Sequence, residues 1–424
     1  MLPLDEYELT EHNVNWRTDL DAARRLGVDA IRYGVAWPLV HTAPGVFDWS
    51  MLDERLDYAH DKLALTVVAD LVHYGTPTWL EGSFADSAYP AAIAEFAGAF
   101  AERYRGIVDH ITPLNEPLTT ASFCGLRGVW PPALTGWAGW VTVMMNIALG
   151  ITASIRAARD ANPEIVIMHV EASSLYETDV EELESHAAKL RSLGMLSTDL
   201  ILGRVDADHP LYDWLIDFGA SPEHLTALCT SPAALDLLGV NYYPMLTPRN
   251  LVPADTGVSQ VVSDGGAAGL TTVLEAFAAR YDIPLVITET SVEGDDQVRG
   301  RWVQDSIAAV QQLRQRGMDI RGYTWWPLFD FVDWSYASGG HNVEEFQVDE
   351  QIVASRTATA APAAAARQLN KTPFLRRMGL IRLEEQVDGH LARVSTGAAD
   401  VFAQHSGARL KHPSETPNDE SAHA

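Results

Sequence analysis

The sequence predicts an α/β fold, a parallel sheet curled into a (β/α)8 TIM barrel short of its first strand, on three observations. Short apolar runs of buried-strand character alternate with stretches of helical spacing. The polar and aromatic residues of chemical interest stand at the C-terminal ends of those runs, which in a barrel share one rim. The runs number seven where a closed barrel needs eight, and the shortage lies at the front. The first helical pattern, Trp16, Leu20 and Ala23, begins with almost nothing before it.

The elements follow in order. Ala30–Trp37 (AIRYGVAW) and Leu63–Val72 (LALTVVADLV) read as the first two strands. Between them Leu52, Leu56, Ala59 and Leu63 keep helical spacing, with Ser50 and Asp53 placed like a capping box. A helix over Pro90–Tyr104 starts on a proline suited to a first turn and gathers Ile93, Phe96, Ala97 and Phe100 on one face. Ile107–Leu114 is the third strand, and a long helix over Trp137–Asp160 ends before Asn162-Pro163. The remaining strands are Ile165–Val170, Leu237–Tyr243, Leu285–Thr290 and Gly322–Phe329. Past Phe346 the order weakens: Ala354–Ala366 reads as a loop or a poor helix, and Gly379–Phe402 regains apolar spacing. Residues 1–403 are expected to form a single domain, and the polar stretch Gln404–Ala424 a disordered tail.

The chain has 424 residues and a formal net charge of −27, from 57 acidic against 30 basic side chains. Such a surface repels nucleic acid and anionic membrane, so neither is expected as a partner. Two cysteines, Cys124 and Cys229, are too few for a disulfide framework. The start lacks the basic and apolar regions of a signal peptide, and no apolar run reads as long enough to span a bilayer. A cytoplasmic location is the expectation. HExxH, CxxC and EF-hand spacings are missing, as is a glycine-rich phosphate loop, so no metal and no cofactor are expected. Oligomeric state is left open.

The strand ends carry the candidate chemistry. Arg32 lies in the first strand; His73 and Tyr74 close the second, Asn115 and Glu116 the third, and Glu171 the fourth. Asn241, Tyr242 and Tyr243 end the fifth, Glu289 the sixth, and Trp325 and Trp326 stand in the seventh. Two glutamates on one rim suit glycoside hydrolysis: one protonates the leaving oxygen while the other attacks the anomeric carbon or activates water. Glu171 reads equally as a third acidic contact or as a structural carboxylate.

Ile111–Pro117 (ITPLNEP) resembles the acid/base motif of glycoside hydrolase family 1, and Val286–Thr290 (VITET) resembles its nucleophile motif. RYGVAW and APGVFDW, VHYGTPTWL, LGVNYY, WWPLFDFVDW and the closing GLIRLE are similar to further family segments, in order over about residues 16–400. The resemblance implies a retaining exo-β-glycosidase acting on β-glucosides or β-galactosides, with carbohydrate as partner. Glu289 would form the glycosyl-enzyme intermediate and Glu116 would act as acid and then base. Asn115 would bond the sugar 2-hydroxyl, and Arg32 and Tyr243 would hold Glu289 ionised. His73, Tyr74, Trp326, Asp333 and Trp334 would contact the sugar, and Asn241 joins these candidate contacts at its strand end.

The sequence departs from the family in four places. The first strand, which brings a sugar-binding glutamine, is missing, and the expectation is a coding start placed too late. Thr290-Ser291 follows the nucleophile where Asn-Gly is usual. Asp333 stands where glutamate is usual and Tyr74 where tryptophan is usual. The stretch Gly339–Arg376 does not match. The last rim loop, Asp330–Gly340, holds two aspartates and no lysine or arginine, which favours unphosphorylated sugars. Two other functions compete: an endo-acting glycanase, with an open groove lined by Trp130, Trp137 and Trp140, and a non-catalytic sugar-binding derivative of the fold.

Overall fold

The computed structural model describes residues 4–255, 257–338 and 371–406. Seven parallel strands form one sheet in sequence order: β1 (Ala30–Gly34), β2 (Thr66–Asp70), β3 (His110–Thr112), β4 (Val166–Ala172), β5 (Leu237–Asn241), β6 (Leu285–Glu289) and β7 (Ile320–Tyr323). The helices α1 (Glu6–Leu9) and α2 (His12–Arg25) precede β1. The crossovers carry α3 (Ser50–Asp57), α4 (Tyr89–Arg103), α5 (Gly136–Ala161), α6 (Glu184–Ile201), α7 (Gly266–Arg280) and α8 (Asp296–Gln315). After β7 come the hairpin β8 (Ile381–Glu385) and β9 (Leu391–Ser395), then α9 (Gly397–Ser406) against α8.

The sheet is curled. Neighbouring strands lie ~4.8 Å apart, so β1 and β6 would stand about 24 Å apart in a flat sheet. Yet Arg32 on β1 donates to Glu289 on β6 at 2.5 Å. Only a barrel-like closure brings them together.

No eighth parallel strand stands between β7 and β1 among the described residues. Other pieces fill this seam. The Tyr7 hydroxyl donates to the carbonyl of Gly34 at 2.7 Å, and Val332 N donates to the Glu6 carboxyl at 3.1 Å, so α1 links the end of β1 to the segment after β7. The hairpin extends the edge beyond β7, with Ile381 N donating to Leu328 O and Asp330 N to Ile381 O. Below it, buried Asp19 of α2 accepts from His12 and from Arg393 of β9, each at 2.9 Å. Arg393 also donates to Thr10 O, Lys371 to Leu9 O, and Leu391 N to Glu11.

Several expectations change. Helix α5 has 26 residues and is long and apolar enough to cross a membrane, contrary to the reading that no run is. Most of its apolar side chains are buried in the protein, Trp140, Val143, Met144 and Ile147 among them. The capping box at Ser50 does not form: Trp49 is the cap, and Asp53 instead accepts from Arg103 and Tyr104. The last strand lies two residues earlier than expected and ends at Tyr323, short of the tryptophans. Gln404–Ser406, assigned to the tail, are the last turn of α9, where Ser406 hydroxyl bonds Leu26 O; the rest of that tail lies outside the described residues, as does Ala354–Ala366.

Candidate active site

The strand ends converge on two carboxylates. Glu289 ends β6 and is 3% exposed; its Oε1 accepts from Arg32 at 2.5 Å and its Oε2 from the Tyr243 hydroxyl at 2.6 Å. Burial nevertheless pushes its carboxyl above the ordinary value; Arg32 opposes this, Glu116 adds to it, and His73 and Tyr243 oppose it. The two donors expected to hold Glu289 ionised are therefore in place, and desolvation outweighs them.

Glu116 is the N-cap of the short helix Pro117–Ala121, with φ at 48°, in the left-handed region unfavourable to a residue with a Cβ. Its backbone N donates to Val170 O, which seats it beside β4. Its Oε1 accepts from Asn241 at 2.7 Å and its Oε2 from the Tyr74 hydroxyl. Asn241 is fixed in turn, its Oδ1 accepting from Thr288 at 2.6 Å. Asn115 joins the two carboxylate environments: it accepts from Arg32 at 2.5 Å and donates to the Tyr74 oxygen at 3.0 Å.

Behind these, Asp70 at the end of β2 accepts from Arg32 at 2.7 Å and pairs with His73 at 2.9 Å. Burial would depress the His73 imidazole, and the Asp70 carboxylate outweighs it, leaving His73 above its ordinary value. Asp70 was missed from the sequence. The signal was there: an aspartate inside VVADLV, an apolar strand run, needs a buried partner. Thr288, which orients Asn241, was missed as well.

The aromatic residues divide. Trp326 faces the site, its ring parallel to His73 (6.4 Å, 9°) and near Tyr243, while Trp325 is buried and donates to Met378 O. Trp334 packs against Tyr74, Phe123 and Trp130. Tyr242 is core, its hydroxyl donating to Gly266 O. Trp137 and Trp140 pack against Trp214, and Trp130 packs against Tyr74 and Trp334 in the site's aromatic wall.

Asp333 sits past β7 and accepts from Arg376 at 2.9 Å. Burial raises its carboxyl, and hydrogen bonds from Ser335 and Arg376 outweigh this and leave it below the ordinary value. Glu171 is fully buried, accepting from Leu118 N, Ala172 N and Ser197 Oγ. Burial pushes its carboxyl up to about 8. It braces the helix that Glu116 caps.

Residues 9–199 match the model of glycosyl hydrolase family 1. A β-glucosidase of Agrobacterium sp. is 26% identical over 357 residues, covering 77% of each chain. Over residues 9–199 the chain is similar to glycosyl hydrolase family 1. β-Glucosidase A of Thermotoga maritima is another relative, 23% identical over 77% of the chain and 79% of the relative. The fold agrees: a structure of β-glucosidase from Thermotoga maritima in complex with azafagomine superposes with a TM-score of 0.76 at 17% identity, over 93% of this chain and 86% of that one. The chain is thus a glycoside hydrolase on a TIM-barrel fold, and its substrate is a carbohydrate.

Proposed function

We propose that this glycoside hydrolase is a retaining exo-β-glycosidase acting on β-glucosides or β-galactosides, with Glu289 as nucleophile and Glu116 as acid/base. The observation that carries the reading is the difference between the two carboxylate environments. Glu289 is clamped by a guanidinium and a phenol, donors that favour a carboxylate anion ready to attack. Glu116 contacts no cation directly; its partners are the neutral groups Asn241 and Tyr74, so the two carboxylates sit in unlike settings.

In the first step an oxygen of Glu289 bonds the anomeric carbon as the glycosidic C–O bond breaks, and the Glu116 proton passes to the leaving oxygen. In the second, Glu116 takes a proton from water as the water oxygen bonds the same carbon and the bond to Glu289 breaks. Trp326 and His73 offer an apolar face and a polar edge for the sugar between the two carboxylates. The relatives named β-glucosidases support glucose as the glycone. The packing of Trp137 and Trp140 against Trp214, apart from the aromatic wall that Trp130 joins, supports an exo-acting reading over an endo-acting one. Arg376 does bring a cation to the last rim loop, but Asp333 and Glu293 both accept from it, which favours a neutral sugar over a phosphorylated one.

The test is turnover of a panel of nitrophenyl β-glycosides by wild type and Glu289→Ala. A loss on the order of 10⁴-fold or more in kcat, partly restored by azide with inversion of the anomer, is the expected result. Binding of sugars without turnover by the wild type would sink the catalytic reading and leave a sugar-binding derivative of the fold.

A further inference from the structure

Tyr74 stands where the family resemblance leads one to expect tryptophan, and the structure gives its hydroxyl a partner that an indole could not serve in the same way. Its backbone is held at φ 68°, left-handed and costly for a residue with a side chain. Its ring is wedged between His73 (4.6 Å), Trp130 (5.0 Å) and Trp334 (5.7 Å). So placed, the phenol donates to Oε2 of Glu116 while accepting from Asn115 at 3.0 Å. Asn115 accepts from Arg32 at 2.5 Å, and Arg32 donates to Glu289 at 2.5 Å.

The donors all point one way: Arg32 to Asn115, Asn115 to Tyr74, Tyr74 to Glu116. Such a chain polarises each successive O–H or N–H toward its acceptor. Burial pushes the Tyr74 phenol well above its ordinary value, and the negative charges of Glu116 and Glu289 add to that, so it remains an O–H donor at any working pH. The charged and titratable groups facing Glu116 are Arg32 from β1, Tyr74 after β2, Glu171 from β4, Tyr243 after β5 and Glu289 from β6.

We propose that Tyr74 is a positioning residue for the acid/base: its hydroxyl aims the Glu116 carboxyl and biases it toward the base that serves the second step. The proposal rests on the retaining reading above. A phenol donating to a carboxylate stabilises the anion, so Glu116 must give up or reverse that hydrogen bond to act as the acid of the first step. The phenol transfers no proton itself; the substrate oxygen receives its proton from Glu116 in the first step, and Glu116 regains one from water in the second.

The experiment is the pH dependence of kcat/KM for wild type and Tyr74→Phe with two substrates. One is a 4-nitrophenyl β-glycoside bearing a leaving group helped by protonation, and the other a 2,4-dinitrophenyl β-glycoside that departs without it. With the first, the alkaline limb is expected to move about one pH unit higher in Tyr74→Phe, the size of one charge-assisted hydrogen bond. With the second, whose departure needs no acid, the alkaline limb is expected to stay where wild type has it whatever the height of the profile. Thermal unfolding reports that the variant is folded. An unmoved limb with the first substrate, with or without a uniform loss on both, overturns the proposal and leaves Tyr74 a packing or sugar-contact residue. Failure of the wild type on both substrates would instead count against the retaining reading itself.

Discussion

At the rim, Arg32 stands within β1, while Asn115, Glu116, Asn241 and Glu289 stand at or just past the ends of parallel strands, and backbone hydrogen bonds along the sheet aim them. At the seam between β7 and β1, Asp19, His12, Arg393 and Glu6 come from helices and a hairpin. Their links are mostly side chain to side chain, or side chain to backbone. Both regions bury charge. The rim places like charges close together, Glu116 beside Glu289, and holds two left-handed residues, Tyr74 and Glu116. The seam pairs opposite charges and leaves Asp19 with an arginine and a histidine. One arrangement stores electrostatic cost where chemistry can use it; the other uses attraction to close a gap that a strand would otherwise fill.

That contrast predicts opposite failures. The larger effect is expected at the rim: Glu116→Ala should lower kcat/KM on unactivated β-glycosides by about 10²–10⁴-fold, with little loss of unfolding free energy. Thermal unfolding run beside the kinetics checks both halves. A comparable loss of stability would mean that Glu116 is structural as well. At the seam, Asp19→Ala takes from Arg393 its buried carboxylate, leaving only carbonyls within hydrogen-bond distance of it, and should cost about 3–5 kcal/mol in urea unfolding. The kcat of the folded fraction should stay close to wild type. Loss of kcat with stability retained would break the distinction between the two regions.

The rim was legible because catalysis demands particular residue types at strand ends, and the strands announce themselves as apolar runs. All seven appear within a few residues of their expected places, and the predicted rim residues Arg32, Asn115, Glu116, Asn241, Tyr243 and Glu289 come together in one hydrogen-bonded cluster. Residues whose contacts cross the barrel were harder to place. Asp70 reads as part of a strand, and the contacts of Trp137 and Trp140 with Trp214 join residues about 75 positions apart that no spacing links. The seam could not be read at all. Glu6 meets Val332 and Asp19 meets Arg393 across more than 300 residues, and neither periodicity nor a motif links such pairs.

The smallest expected effect sharpens the comparison, because each region carries one glutamate that burial pushes up to about 8: Glu171 at the rim and Glu6 at the seam. For such a group the folded state keeps its proton after the unfolded chain has lost it. Its stabilising share is complete below pH ~4.5, falls as pH rises toward about 8, and is gone above that. Water entering around the ionised carboxylate limits the loss to on the order of 1–2 kcal/mol per group. Glutamine, which keeps the shape and cannot ionise, should flatten the fall in stability between pH 5 and 8 in both variants. Glu171 is fully buried and accepts from Leu118, Ala172 and Ser197, whereas Glu6 opens the half-buried helix α1 with a bond from Val332 N. The flattening should therefore be greater for Glu171→Gln than for Glu6→Gln, read from urea midpoints at several pH values. The reverse order would mean that the seam, not the rim, is the drier of the two and the more sensitive to charge.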